Sequence, residues 1–332
     1  MHKDPVGALA LFSGGLDSIL SCRLTMSLGI KVTAIRFVTP FFGYELLKNE
    51  KAYRAGVKEK YGIDVRLHDV SEPYLKLLRD PAHGYGKNFN PCLDCKIFLV
   101  SEARKLMPRY QASFIITGEV VGQRPMSQRK DTLRVVERDS GCDGILVRPL
   151  CAKNMMPTRV EEDGLVDRER LLGFSGRGRS DQIRLAAEFG ITDYPRPGGG
   201  CVLTDPILSK RIESYYNDHE IVMVENVRLL QAGRQFQLPG GGWLVMGRDA
   251  AENKKVKELR QPGDLVLKMK SRPGPTAILR FGDDPDDRKL AAGLVVRYGR
   301  KVKKANKEAR VILTQGREKS EIIASPLDDV II

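Results

Sequence analysis

No apolar run in the 332 residues approaches the length of a membrane-spanning helix, so a helical passage through a bilayer is excluded. Residues 1–12 lack the long apolar stretch and small-residue cleavage site of a secretory leader, so a cytoplasmic location without membrane association is expected. In that setting the six cysteines, Cys22, Cys92, Cys95, Cys142, Cys151 and Cys201, do not read as a disulfide framework. Each is core filler, a metal ligand or a nucleophile. Internal repeats and low-complexity tracts are also missing. Acid is the scarce charge: 42 Asp and Glu against 55 Lys and Arg leave +13. That excess favours a polyanionic partner, although a Lys-rich surface kept for solubility explains it equally well. What remains, 42% hydrophobic and 29% charged residues, is the composition of a globular chain with room for two domains.

The first half alternates strand-like and helix-like segments. Residues 8–12 form a short apolar run, followed by a helical stretch to about residue 28. Residues 31–38, 64–70 and 113–118 are the next strand-like runs, and residues 45–61 read as helix. Strands separated by helix-length segments predict an α/β fold, a parallel sheet with helices on both faces. Glycine and proline become dense over residues 175–201, in SGRGRS and YPRPGGGC, which marks functional loops. Past Pro206 the pattern shifts to strands over 243–248, 265–270, 276–281, 310–314 and 321–324, with helices over 250–260 and 288–298. We therefore expect a domain of residues 1–206 and a smaller α+β domain of residues 207–332.

Between the first strand and first helix lies Ser13-Gly14-Gly15-Leu16-Asp17-Ser18. Glycines let the backbone approach a ligand, and a helix N-terminus offers free N–H groups to an anion. Ser13 and Ser18 can add hydroxyl donors. Asp17 would repel a bare phosphate, which suits it to a magnesium ligand or a helix cap. A plain strand-to-helix turn uses similar residues. The block, however, resembles the SGGxDS signature of PP-loop ATP pyrophosphatases and follows the first strand as in that family. The resemblance implies an adenine-nucleotide alpha-hydrolase-like sheet, with ATP and Mg2+ as cofactors. It places Ser13, Gly14, Gly15, Asp17 and Ser18 at the phosphates, and adenine near Phe37 at the end of the second strand. Gly118, ending a later strand, faces the same crevice.

Asn90-Pro91-Cys92-Leu93-Asp94-Cys95-Lys96 is a second block. A Cys-x-x-Cys pair at a loop-to-helix junction can bind metal, shuttle electrons or carry sulfur; two structural cysteines are the bland alternative. The block resembles the NPCxxC region of tRNA 2-thiouridylases. A third, GEVVGQ at residues 118–123 with Ser127-Gln128 and Arg148-Pro149-Leu150, is similar to elements of tRNA 4-thiouridine synthetases. Together these resemblances span residues 8–206 and imply ATP-dependent thiolation of a tRNA uridine. The carbonyl oxygen is adenylated, pyrophosphate departs, and sulfur replaces the oxygen. Asp17, Cys92 and Cys201 are then the catalytic candidates, with Gln123 and Arg148 as positioning groups. Cys92, Cys95 and Cys201 would hold a [4Fe-4S] cluster, as in the cluster-dependent members of this superfamily, with a Cys201 persulfide resolved by Cys92 as the rival use. The sulfur donor would be sulfide or a persulfide carrier protein, and a homodimer is an open option.

Residues 243–315 resemble the RNA-binding domain of the NFACT ribosome-quality-control proteins. The segment RYGRKVKKANKEAR carries seven basic residues against Glu308. Arg300, Lys301, Lys303 and Lys304 are its nucleic-acid-binding candidates, with Tyr298 as a stacking surface. A solvated basic helix end is the plainer reading. Two other functions fit the same residues. One is a PP-loop ligase with zinc at the cysteines, and the other is a non-catalytic RNA-binding factor switched by nucleotide.

Overall fold

The structure is a computed structural model that describes residues 6–124, 126–196, 198, 200–270, 272–299 and 308–327. The chain divides into two compact units, Met1–Asn217 and Asp218–Ile332.

In the first unit, strands β1 (Gly7–Leu11), β2 (Lys31–Val38), β3 (Asp64–Asp69), β4 (Phe114–Ile116) and β5 (Leu146–Val147) form one sheet of order β3-β2-β1-β4-β5. Every pairing is parallel. The helices between and after the strands are α1 (Leu16–Ser27), α2 (Glu50–Tyr61), α3 (Ser71–Arg79), α4 (Cys92–Leu106), α5 (Lys130–Asp139), α6 (Arg159–Glu162), α7 (Ser180–Glu188) and α8 (Pro206–Asp218). Side chains alternate across β1, and both faces are apolar. Ala8 and Ala10 join a core with Ile19 and Leu20 of α1 and Leu185 of α7. Leu9 joins another with Val100 of α4 and Val136 of α5. Burial on both faces is what the continuous apolar run in β1 specifies. Each fully buried Leu or Ile here contributes about 1.5–3 kcal/mol.

The strand order reverses at β1, whose neighbours are β2 and β4. Their carboxyl ends therefore open a crevice at a topological switch point. Cys22 of α1 is fully buried in the core, and burial pushes its thiol up to about 12. The helix expected over 45–61 is divided. A 3-10 turn, Tyr44–Asn49, precedes α2, and the Asn49 side chain caps α2 by accepting from Ala52 N at 3.1 Å. Although composition shifts at Pro206, α8 packs on the first unit. The Tyr216 hydroxyl donates to the Leu75 carbonyl at 3.0 Å, and Arg79 lies over the Tyr216 ring.

The second unit contains α9 (Val224–Leu230), β6 (Arg234–Gln237), β7 (Trp243–Met246), α10 (Ala250–Glu258), β8 (Leu265–Met269), β9 (Ala277–Arg280), α11 (Pro285–Arg297), β10 (Ala309–Gln315) and β11 (Glu318–Ala324). Its strands form an antiparallel sheet of order β11-β10-β8-β9-β7-β6. Ala291, Leu294 and Val295 of α11 are buried against Leu267, Leu279 and Val311 of the sheet. Helix α11 starts at Pro285, ahead of the expected residue 288. The Asp284 carboxylate accepts from Asp286 N at 2.7 Å, and proline suits the first turn. No described helix is long and apolar enough to cross a membrane.

Candidate active site

The crevice at the switch point is a cleft of about 440 Å3, within the range of small-ligand sites. Ser13, Gly15, Asp17 and Ser18 line it, together with Ile35, Arg36 and Phe37 of β2 and Thr117, Gly118, Glu119 and Gln123 after β4. The turn from β1 into α1 depends on Gly14, at φ +76°, a left-handed conformation that favours glycine. Ser18 Oγ donates to Gly15 O at 2.7 Å, and Ser13 Oγ lies 3.2 Å from Ser18 Oγ. Gly15 N donates to Ser13 Oγ at 3.3 Å, and the residues that begin α1, Leu16, Asp17 and Ser18, line the cleft, so the helix N-terminus opens toward it. Arg36 donates to the Ser13 carbonyl and pins the loop to β2. Gly118 cannot carry a side chain, because a Cβ would lie 2.5 Å from the Asp17 carbonyl.

Asp17 Oδ2 accepts from Gln123 Nε2 at 3.0 Å. Its Oδ1 is buried without a hydrogen-bond partner, as is Gln123 Oε1. Burial pushes the Asp17 carboxyl up, and the Gln123 bond with nearby Arg179 and Arg124 only partly offsets this. Two orphaned oxygens on adjoining side chains are a hard-donor set that fits Mg2+, whose charge would favour the ionised carboxylate against burial.

Behind this wall lies a buried ion network that sequence reading did not resolve. Glu119 faces Lys96 Nζ at 3.3 Å and Arg148 Nε at 3.1 Å, and Arg148 also pairs with Glu137. Burial would raise the Glu119 carboxyl, but Lys96 and Arg148 outweigh it and hold the group at about 2. Arg148 Nη2 donates to Leu133 O at 3.3 Å. With its donors committed there, Arg148 positions Glu119, whereas Gln123 reaches the cleft directly.

The cysteines sit on two segments that border the cleft. Cys92 and Cys95 open α4, whose Lys96, Leu99 and Val100 line it; Pro195, Arg196 and Gly198 line it ahead of Cys201. The two segments are stapled together. Asn88, in a left-handed conformation, donates its amide to Thr204 O at 2.7 Å, and Thr204 Oγ1 donates to Cys201 O at 2.6 Å. Cys201 is exposed, and Tyr74 donates its hydroxyl to Cys95 Sγ at 3.4 Å. Burial pushes the Cys95 thiol up to about 11, against the Tyr74 bond. It also raises Cys201, to which nearby Cys92 adds. Among the described residues no three His, Cys, Asp or Glu side chains are grouped to hold a metal ion. The thiols are neighbours, but they do not form the assembled ligand set that a [4Fe-4S] cluster or zinc requires. Cys142 and Cys151 are buried apart from them, and Cys151 donates to Glu119 O at 3.2 Å.

Sequence reading missed the cationic lining, Arg36, Lys96, Arg124, Arg177, Arg179 and Arg196. The alternating glycine and arginine of SGRGRS was its only signal. In the second unit, Arg234 lies 4.6 Å over the Tyr298 ring and Phe236 packs beside it, so an intramolecular cation holds the expected stacking surface. Arg300, Lys301, Lys303 and Lys304 lie outside the described residues.

A five-stranded parallel sheet with a glycine turn from β1 into α1 defines a PP-loop α/β fold. More particularly, residues 6–156 match the family described as thiamine biosynthesis protein (ThiI). Residues 233–330 match the NFACT protein RNA binding domain. The chain is thus similar to a ThiI-type domain over residues 6–156 and to an NFACT-type domain over residues 233–330. A probable tRNA sulfurtransferase of Bacillus pumilus is 26% identical over 173 residues, 51% of this chain and 40% of the relative. One of Thermococcus kodakarensis is 27% identical over 178 residues, 51% of this chain and 42% of the relative. The chain therefore spans about two-fifths of the length of these relatives. A solved 4-thiouridine synthetase–RNA complex with bound ATP aligns at 20% identity and a TM-score of 0.42, covering 64% of this chain and 51% of that one.

Proposed function

We propose that the chain is a cytoplasmic, ATP-dependent sulfurtransferase that thiolates a uridine in tRNA. One observation carries this reading. A phosphate-type glycine turn and buried oxygens without partners line a cleft bordered by both cysteine segments. The tRNA sulfurtransferase relatives support the substrate class, and the NFACT-type match supports binding of RNA.

In this reading the N–H groups at Gly15 and the Ser13 and Ser18 hydroxyls take the β- and γ-phosphates, while Ile35 and Phe37 flank adenine. Asp17 and Gln123 would hold Mg2+, which would supply charge neutralisation for the departing pyrophosphate. A uridine carbonyl oxygen is a poor leaving group; attack on the α-phosphorus expels pyrophosphate and makes the ring carbon's substituent an adenylate. Sulfur then displaces AMP. Because the cysteines are not an assembled ligand set, no step is routed through a cluster. Cys201, the exposed thiol, carries sulfur received from a persulfide protein. The persulfide's terminal sulfur attacks the ring carbon and AMP leaves. The Cys92 thiolate next attacks Cys201 Sγ, which releases thiouridine and forms a Cys92–Cys201 disulfide for an external thiol to reduce.

A second reading keeps a sulfide-fed [4Fe-4S] cluster. It is favoured by Tyr74, whose buried hydroxyl is held protonated by burial and by all three thiols around it. Tests on protein purified without oxygen separate the two. The relay expects a colourless, iron-free protein that thiolates tRNA when given ATP and a persulfide donor, and loses thiolation on Cys201→Ala or Cys92→Ala. Stoichiometric iron with visible absorbance selects the cluster. Thiolation that survives loss of both cysteines contradicts either form.

A further inference from the structure

Of the five arginines that line the cleft, Arg36 is bonded to the Ser13 carbonyl, whereas Arg124, Arg177, Arg179 and Arg196 form no ion pair or side-chain hydrogen bond among the described residues. The lining sets six cations, Arg36, Lys96, Arg124, Arg177, Arg179 and Arg196, against two carboxylates, Asp17 near Arg124 and Arg179 and Glu119 already paired with Lys96 and Arg148, and that excess of positive charge at one opening calls for an anionic ligand. The backbone holds three of them together. Val121 and Ser175 form a parallel bridge, and Gly176 N donates to Val121 O at 2.8 Å. Gly122 and Gly176 are both left-handed, and a Cβ on Gly122 would lie 3.5 Å from Gly176 N. These two glycine turns, pressed against each other, place Gln123-Arg124 beside Arg177-Gly178-Arg179.

The local polar inventory points the same way. Arg179 Nε is buried without a hydrogen-bond partner. Arg179 precedes α7 as its cap residue and supplies no side-chain cap, so the first N–H groups of that helix are open as well. Planar guanidinium forks and open backbone donors suit phosphate oxygens. The glycine turn at residues 13–18 belongs to a separate segment with its own donors.

We propose that Arg124, Arg177 and Arg179 form a second phosphate-binding wall of the cleft, which holds phosphate oxygens beyond those taken by the SGGLDS turn. This deepens the proposed function and rests on it for what fills the cleft. Two sources share the chemistry: the pyrophosphate portion of ATP, and a backbone phosphate of the RNA next to the target nucleotide.

The test uses the full chain and an Arg177→Ala, Arg179→Ala double variant whose thermal midpoint is checked against wild type. Inorganic pyrophosphate with Mg2+ is titrated by calorimetry. An unmodified tRNA transcript is titrated separately across a salt series. A loss of roughly ten-fold or more is expected in one of the two affinities. Loss for pyrophosphate alone assigns the wall to the leaving group. Loss for tRNA alone, with a shallower salt dependence, assigns it to the RNA backbone. Lysine at the same positions should recover part of the charge but not the fork. Both affinities within about two-fold of wild type overturn the wall. If the double variant does not fold, Arg177→Lys and Arg179→Lys are read against the same two ligands with the same criteria. A wild type that forms ADP from ATP would sink the proposed function, yet pyrophosphate binding would still decide the wall.

Discussion

In the second unit the buried guanidinium of Arg280 is met at each nitrogen. Asp264 accepts from Nε at 2.9 Å and Nη2 at 2.7 Å, and Asn226 accepts from Nη1 at 2.5 Å. In the first unit Arg124, Arg177, Arg179 and Arg196 at the cleft form no ion pair or side-chain hydrogen bond among the described residues, and Asp17 Oδ1 and Gln123 Oε1 there lack a hydrogen-bond partner. Of the ten buried side-chain polar atoms without a hydrogen-bond partner among the described residues, those on Asp17, Arg36, Gln123, Gln128 and Arg179 line the cleft with no ion pair either, while Glu119 Oε1 there faces Lys96 Nζ at 3.3 Å. Arg272 alone among the ten belongs to the second unit. An unpaired buried polar atom costs about 1–3 kcal/mol. Concentrating that cost at one opening marks where a ligand supplies the missing bonds, while the satisfied unit spends its polar groups on its own fold.

The contrast breaks most sharply at Asp17. Its carboxylate is destabilised by burial, so Asp17→Asn should leave stability unchanged or higher while ATP cleavage falls by roughly a hundred-fold or more. Parallel measurement of urea midpoint and turnover checks this. A loss of fold alongside activity would make Asp17 a structural residue like Asp264.

The next effect lies in the satisfied network behind the cleft. Glu119→Gln leaves Lys96 without its countercharge and Arg148 with Glu137 alone, and should cost about 3–5 kcal/mol in urea unfolding. Because the folded Glu119 is held at about 2, below its usual 4.5, its contribution is present above pH 4.5 and is lost as pH falls toward 2. Wild type should lose stability across that window, and the variant should lose less. Equal acid sensitivity would show that Glu119 is not the group responsible.

The smallest effect is expected in the other unit. Reversing charge at Arg300, Lys301, Lys303 and Lys304 should weaken tRNA binding by about ten-fold and flatten its salt dependence, with RNA-free ATP cleavage unchanged. Unaltered tRNA affinity would move RNA recognition to the arginines of the cleft.

Much of the fold was legible because it depends on local patterns. The apolar run before SGGLDS, the β-rich 31–38 segment and the 113–118 segment map onto β1, β2 and β4, and glycines marked the turn between β1 and α1. Strand β6 was not legible, since Arg234-Gln235-Phe236-Gln237 has a single apolar residue and is held by pairing with β7. Charge identity also says nothing of burial. Arg148 and Arg179 look alike in sequence, yet one is ion-paired with two carboxylates and the other forms no ion pair. The Cys-x-x-Cys spacing was readable. That Cys201 belongs beside that pair came only from the resemblance, because what ties its loop to the Cys92 segment is Asn88 stapling two distant loops.

The most direct test of the central claim is the fate of ATP. Purified protein, supplied with Mg2+, tRNA and α-labelled or γ-labelled nucleotide, should yield AMP and pyrophosphate in equal amounts, with neither formed by the Asp17→Asn variant. Release of ADP and orthophosphate by the wild type would contradict the account.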